Sequence, residues 1–194
     1  MSSHHFVKEG QEPALFILDN IPFHRAESLL EWVPLVMVAD RVLENVLHWG
    51  IKIDIVLQDE YPFEVLENLV QHQGPVQTLL SDKDHIVKTG LQYLIQNGYD
   101  AVNLLSIPHE EIFQEVEKSA NKLQVGIYNE HEKWSLISTG KFEKWMPAEA
   151  TLLIRSASSV QTNGITQKGK FWETLGAGIV TIQSASAFWI GESL

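Results

Sequence analysis

The sequence predicts an α/β fold. A mostly parallel sheet with helices on both faces is expected over residues 1–122, followed by a smaller all-β, sandwich-like part over residues 123–194. Three observations carry this reading. Short apolar runs alternate with amphipathic stretches through the first two-thirds of the chain. The apolar runs there are continuous rather than alternating, which suits strands covered on both faces. From about Leu123 the pattern changes to short strands broken by Gly, Ser, Thr and Asn, the spacing of antiparallel sheets.

In order, residues 14–18 (ALFIL) read as a strand and 25–32 as its helix. PLVMVAD, 34–40, is a buried strand ending on an acid, and 41–49 follow as a helix that Gly50 stops. IKIDIVLQDEYPFEVLENLV, 51–70, repeats that plan. Its apolar run ends abruptly at Gln58, Asp59 and Glu60, and Tyr61-Pro62 leads into Phe63, Val65, Leu66, Leu69 and Val70 at helical spacing. PVQTLL, 75–80, is a fourth strand, and the helix over 84–97 carries Ile86, Val87, Leu91, Leu94 and Ile95. A fifth strand, 101–105, is followed after Pro108 by a helix with Ile112, Phe113 and Val116. Beyond a hinge at SANK, 119–122, the runs LQVGIYNE, KWSLIS, ATLLIRS, GIVTIQSA and AFWIGE supply the short strands.

Composition narrows the function. With 194 residues, 44% hydrophobic and 20% charged, the chain can bury a core. Fourteen Lys and Arg against 25 Asp and Glu give a formal net charge of -11, so nucleic acid is not an expected partner: non-specific affinity for it needs a basic surface. The absence of cysteine excludes disulfides, thiolate zinc sites and a cysteine nucleophile. No apolar run is long enough to span a membrane, and the opening MSSHHFVKEGQEPAL lacks the apolar stretch of a signal peptide. A cytoplasmic protein without a membrane partner is expected. The eight histidines show no ligand spacing beside an acid, so no zinc site is expected.

Two strand ends stand out. In open α/β sheets ligands bind beyond the carboxyl ends of the strands, and hard divalent cations take carboxylate oxygens. Asp40 and Asp59 each follow a buried strand and are candidates to hold a metal and the phosphates riding on it. Each also has a plainer reading as a turn or capping residue ahead of a helix, as have Asp82 and Asp84. His109, Glu110 and Glu111, after Pro108, read better as a solvated first helical turn. Trp134, Trp145, Trp172 and Trp189 fall in the β part, where large aromatics fill a core or a subunit interface. Lys168 and Lys170, on TNGITQKGK, suit a solvated hairpin better than a phosphate site.

The run VMVADRVLENVLHWGIKIDIVLQDEYPFE, 36–64, resembles the thiamine pyrophosphokinase family. Its members read as apolar strand, Ala-Asp-Gly-Gly, helix, Leu-Gly-Ile-x-Pro-Asp, apolar strand and Gly-Asp-x-Asp-Ser. Asp40, Gly50, Ile51, Asp54 and Asp59 match that pattern. LLSDKDHIVKTGLQYLIQNGYDAVNLLS, YNEHEKWSLISTG and LLIRSASSVQTNGI are similar to later segments, so the likeness covers about residues 14–190. The resemblance implies ATP-dependent pyrophosphoryl transfer to thiamine with Mg²⁺ by a homodimer. Residues 1–122 would be nucleotide-binding-like and 123–194 thiamine-binding-like. It implies catalytic and metal-binding roles for Asp59 and Asp40, with Glu60, Asp82 and Asp84 on the cofactor.

The sequence also departs from the family. Arg41 and Val42 replace the two glycines, and Gln58, Tyr61 and Pro62 replace the Gly, second Asp and Ser of the acidic loop. His85, Ile86 and Val87 stand where Thr-Asp is expected, and SIPHEEIF carries neither the glycines nor the arginine of the turn after the fifth strand. A second reading therefore stands beside the first: a non-catalytic member that keeps fold and dimer and binds another small ligand, or only assembles.

Overall fold

The computed structural model describes residues 12–81 and 85–194, divided into one unit that ends at Asn129 and a second, Glu130–Leu194. In the first unit the continuous apolar runs become six parallel strands: β1 (Ala14–Ile17), β2 (Val36–Ala39), β3 (Ile55–Gln58), β4 (Gln77–Leu80), β5 (Ala101–Leu105) and β6 (Gln124–Tyr128). They lie in the order β6-β5-β1-β2-β3-β4. All of β1 and β2 is buried, which is why their sequences do not alternate. The helices are α1 (Phe23–Leu30), α2 (Leu43–Leu47), α3 (Phe63–Val70), α4 (Ile86–Gln96) and α5 (Glu110–Ser119).

The chain steps from β1 through β2 and β3 to β4, then returns to the other side of β1 for β5 and β6. Right-handed crossovers then put α1, α2 and α3 on one face and α4 and α5 on the other. The packing of α4 against α5 agrees with that placement. The reversal creates a topological switch point between the carboxyl ends of β1 and β5.

Two local departures from the sequence reading have physical causes. The helix expected over 41–49 is split into a 3₁₀ turn, Asp40–Val42, and the shorter α2, because Asp40 is drawn into a buried bonding role described below. Gln124–Tyr128, expected among the antiparallel strands, pairs parallel with β5 from Ala101↔Gln124 to Leu105↔Tyr128. It is less buried than β5, and its sequence is correspondingly more polar.

Between α1 and β2 the chain turns on Val33, which has φ 52 and is 89% exposed. A β-branched residue in the left-handed region carries about 1–2 kcal/mol of strain. Val33→Asn is therefore expected to raise stability in urea denaturation by about 1 kcal/mol. An unchanged or lower midpoint would show that the valine side chain holds the turn.

The second unit is a sandwich. Strands β7 (Glu132–Ile137), β9 (Thr151–Ser156), β11 (Ile165–Lys168), β12 (Phe171–Thr174) and β14 (Phe188–Ser193) pair antiparallel in the order β7-β14-β9-β12-β11. Strands β8 (Lys141–Met146), β10 (Val160–Asn163) and β13 (Gly178–Ser184) form a second sheet, β10-β13-β8. Met146, Val180 and Ile182 from the small sheet share one core with Leu152, Ile165, Phe188 and Ile190 from the large one. Trp134 and Trp189 are buried, while Trp145 is exposed. Lys168 lies on the β11–β12 hairpin and pairs with Glu173 at 2.7 Å. No helix among the described residues is long and apolar enough to cross a membrane.

Candidate functional site

Three strands of the first unit run into an acid as they leave the sheet: β1 into Asp19, β2 into Asp40 and β3 into Asp59. These strands are neighbours, so the acids form a row along the carboxyl edge, with about 4.8 Å between successive strands. Ser106 leaves the adjacent strand β5 on the far side of the switch point.

Asp40 organises half of this row. It is fully buried, and its Oδ2 accepts hydrogen bonds from the backbone N–H groups of Asp59, Glu60 and Tyr61, each at 2.8 Å. The β3–α3 loop is thus wound around one carboxylate oxygen, an arrangement that satisfies three loop donors with a charged acceptor. Gln58 Nε2 donates to the Tyr61 carbonyl at 2.8 Å and ties the loop from within. Asp40 Oδ1 is buried and has no hydrogen-bond partner among the described residues.

Tyr61 stands at the loop's outer end, where its hydroxyl donates to Glu44 at 3.2 Å. That hydrogen bond, followed by the negative charge of Glu44, holds the tyrosine pKa above its ordinary value.

The other half of the row is organised by Asp19. Its Oδ2 accepts from Ser106 Oγ at 2.6 Å and from the Ile107 N–H at 2.9 Å, so one carboxylate spans the switch point from β1 to β5. Its Oδ1 accepts from Arg41 at 3.2 Å, while Arg41 Nε donates to the Leu18 carbonyl at 3.0 Å. A polar chain therefore runs from β2 through β1 to β5.

The structure brings Asp40 together with the backbone of Asp59 and Glu60. Asp82 and Asp84 lie outside the described residues. Among the described residues no group of three or more acids and histidines is placed to share a metal ion. Asp19 escaped the sequence reading although ALFILD carries the same signal as VMVAD and IVLQD, an apolar run closing on an acid. Arg41 was legible only as a replaced glycine. Glu110, at the start of α5, accepts from Gln114 at 3.0 Å, and His109 flanks that helix without a side-chain cap.

No protein-family model matches the chain, and no curated protein matches it in sequence. Solved structures do match. Thiamine pyrophosphokinase from Bacillus subtilis superposes with a TM-score of 0.68 over 93% of this chain and 98% of that one, at 10% identity. The Geobacillus thermodenitrificans thiamin pyrophosphokinase gives 0.67 over 93% and 97%, at 14% identity. This is the thiamine pyrophosphokinase fold. The Candida albicans thiamin pyrophosphokinase extends the likeness to a eukaryotic chain, with a TM-score of 0.65 over 95% and 89% at 11% identity. At such identities the thiamine pyrophosphokinase fold fixes where strands end, and the chemistry is decided by the side chains at those ends.

Proposed function

We propose that this protein keeps the thiamine pyrophosphokinase fold without its pyrophosphoryl transfer, as a non-catalytic relative whose strand-end cleft serves another small ligand or assembly. The observation that carries this reading is Arg41. It stands where the resemblance places a glycine, and its guanidinium is engaged with Leu18 and Asp19 beside the switch point. Glycines at that turn would let backbone approach phosphate closely, and Arg41 and Val42 take that freedom away. Tyr61 stands in place of the second acid and spends its hydroxyl on Glu44. On this reading the described side chains do not fit magnesium and ATP, since phosphoryl transfer depends on positioning and on neutralising charge.

The test is AMP release by the purified protein with ATP, magnesium and thiamine together. No release above background, and no heat on titration with magnesium and ATP, is the expected result. Release that needs thiamine and vanishes in Asp59→Ala would overturn the reading.

One observation favours the alternative, ATP-dependent pyrophosphoryl transfer to thiamine: Asp40 Oδ1, buried and without a hydrogen-bond partner among the described residues, is a carboxylate oxygen of the kind a divalent cation takes. There Asp40 and Asp59 would hold Mg²⁺, with Glu60, Asp82 and Asp84 toward the nucleotide. The same assay decides between the two.

Either reading includes a homodimer. Support comes from Trp145 and Ile179, direct cross-strand partners on the three-stranded sheet that are 63% and 62% exposed, an apolar pair suited to a subunit contact. A monomeric mass by sedimentation would overturn that part.

A further inference from the structure

We infer that β4 is an interaction edge, which pairs with β4 of a second copy of this chain by antiparallel strand addition. Such a contact is independent of whether the cleft is catalytic, and it uses a surface other than the Trp145–Ile179 pair. β4 is the outer strand of the first unit's sheet and pairs with β3. The Gln77 N–H donates to the Asp54 carbonyl and the Ser81 N–H to the Gln58 carbonyl, each at 2.9 Å. Odd-numbered residues thus face β3, so Thr78 and Leu80 turn their N–H and C=O groups to the open side. Neither has a backbone partner there among the described residues. Natural edge strands are blunted by charge, proline or a bulge. Gln77–Leu80 carries no charge and no proline, pairs with β3 in unbroken register, and ends on Leu80, which is 78% exposed. The other outer strands differ. β7, β8 and β11 carry charged residues, and β6 and β10 expose no large apolar side chain among the described residues.

Charge and symmetry choose the occupant. The chain has a formal net charge of -11, so two copies repel across most surfaces, but residues 77–81 bring no charge to a contact and set no like charges face to face. About a two-fold axis at Leu79, Thr78 of each copy lies opposite Leu80 of the other. These are the residues whose backbone groups are open, and each such pair exchanges both N–H···O bonds. A register centred one residue away would set open groups against closed ones. Gln77 Oε1 accepts from the Tyr93 hydroxyl of α4 at 3.1 Å, which puts Gln77 and Leu79 on the α4 face and Thr78 with Leu80 on the other. Leu79 then meets Leu79 on the axis, where side chains come closest, and each exposed Leu80 gains Thr78 as its cross-strand neighbour.

The experiment is amide hydrogen exchange, read by NMR on the full chain from about 10 µM to about 1 mM, with sedimentation velocity on the same samples. In wild type the Thr78 and Leu80 amides are expected to exchange at least about tenfold more slowly at the highest concentration than at the lowest, as the mass rises. Leu80→Lys places a charge on the edge at an exposed position, so the fold stays and the slowing at Thr78 is lost. Thr78→Pro removes an N–H that β3 does not use, a change an edge strand tolerates, and the slowing at Leu80 is lost. Exchange at both wild-type amides that does not depend on concentration would overturn the pairing. A rise in mass that survives both variants, without slowed exchange at these amides, would also overturn it and leave Trp145 and Ile179 as the contact. Slowing that appears only when a neutral peptide of Thr and Val is added would make a foreign strand the occupant and overturn the second copy.

Discussion

Gly90→Ala is expected to destabilise the first unit by about 2–3 kcal/mol, the cost of forcing an extra methyl into a filled core. Gly90 sits in the middle of α4, where alanine normally gains about 1 kcal/mol over glycine. A Cβ at this position would lie 2.3 Å from Phe16 Cε1 and 2.7 Å from Cζ, far inside van der Waals contact. The ring has nowhere to go. Phe16 is fully buried at the centre of β1, paired with Met37 of β2 on one side and Leu104 of β5 on the other. Core packing therefore outweighs helix propensity, and the sign of the effect is the test. Urea denaturation reads it, and Phe16→Leu in the same chain should lessen the penalty, since the two sites share one contact. A neutral or stabilising Gly90→Ala would show that α4 can lift from β1 freely.

The contrast between β1 and β8 explains what was legible in the sequence. ALFI is buried on both faces and so announces itself as a continuous apolar run, and the same holds for VMVA and most of IVLQ. KFEKWM buries only Met146, and VQTN buries no residue, so neither strand stands out as a continuous apolar run. Their strand character comes from pairing with β13, a tertiary fact that no local window contains. The acids of the site were half legible for the same reason. Asp40 and Asp59 are visible as strand-end residues, but the bonds from the loop to Asp40 join residues 19 to 21 positions apart and exist only once β2 and β3 lie side by side. Arg41 showed in the sequence as a lost glycine. Its partner Asp19 is 22 residues away, just past the end of β1, so the reason for an arginine there could not be read locally.

Asp40→Ala is expected to be the most damaging single change at the strand ends, costing about 3–5 kcal/mol in the absence of any metal or nucleotide. Each hydrogen bond to a charged acceptor contributes roughly 1.5–3 kcal/mol, and the three lost here share one oxygen, so their sum is less than three independent terms. The amides of Asp59, Glu60 and Tyr61 would lose their common acceptor, and the loop leading into α3 would lose its anchor to β2. Asp40→Asn keeps a carbonyl oxygen of the same size without the charge. Neutral hydrogen bonds are about half as strong, so a smaller loss, near half, is expected. This pair of variants tests by stability alone whether Oδ2 anchors the loop, separately from any cation at Oδ1. If alanine is ruinous and asparagine intermediate in apo protein, Asp40 acts as the anchor of the acidic loop, with Oδ2 committed to backbone. If both variants hold stability to within about 1 kcal/mol, the ordinary range for an uncoupled site, the anchor is dispensable. The buried carboxylate would then need another reason to be there, and a cation at Oδ1 becomes the better account.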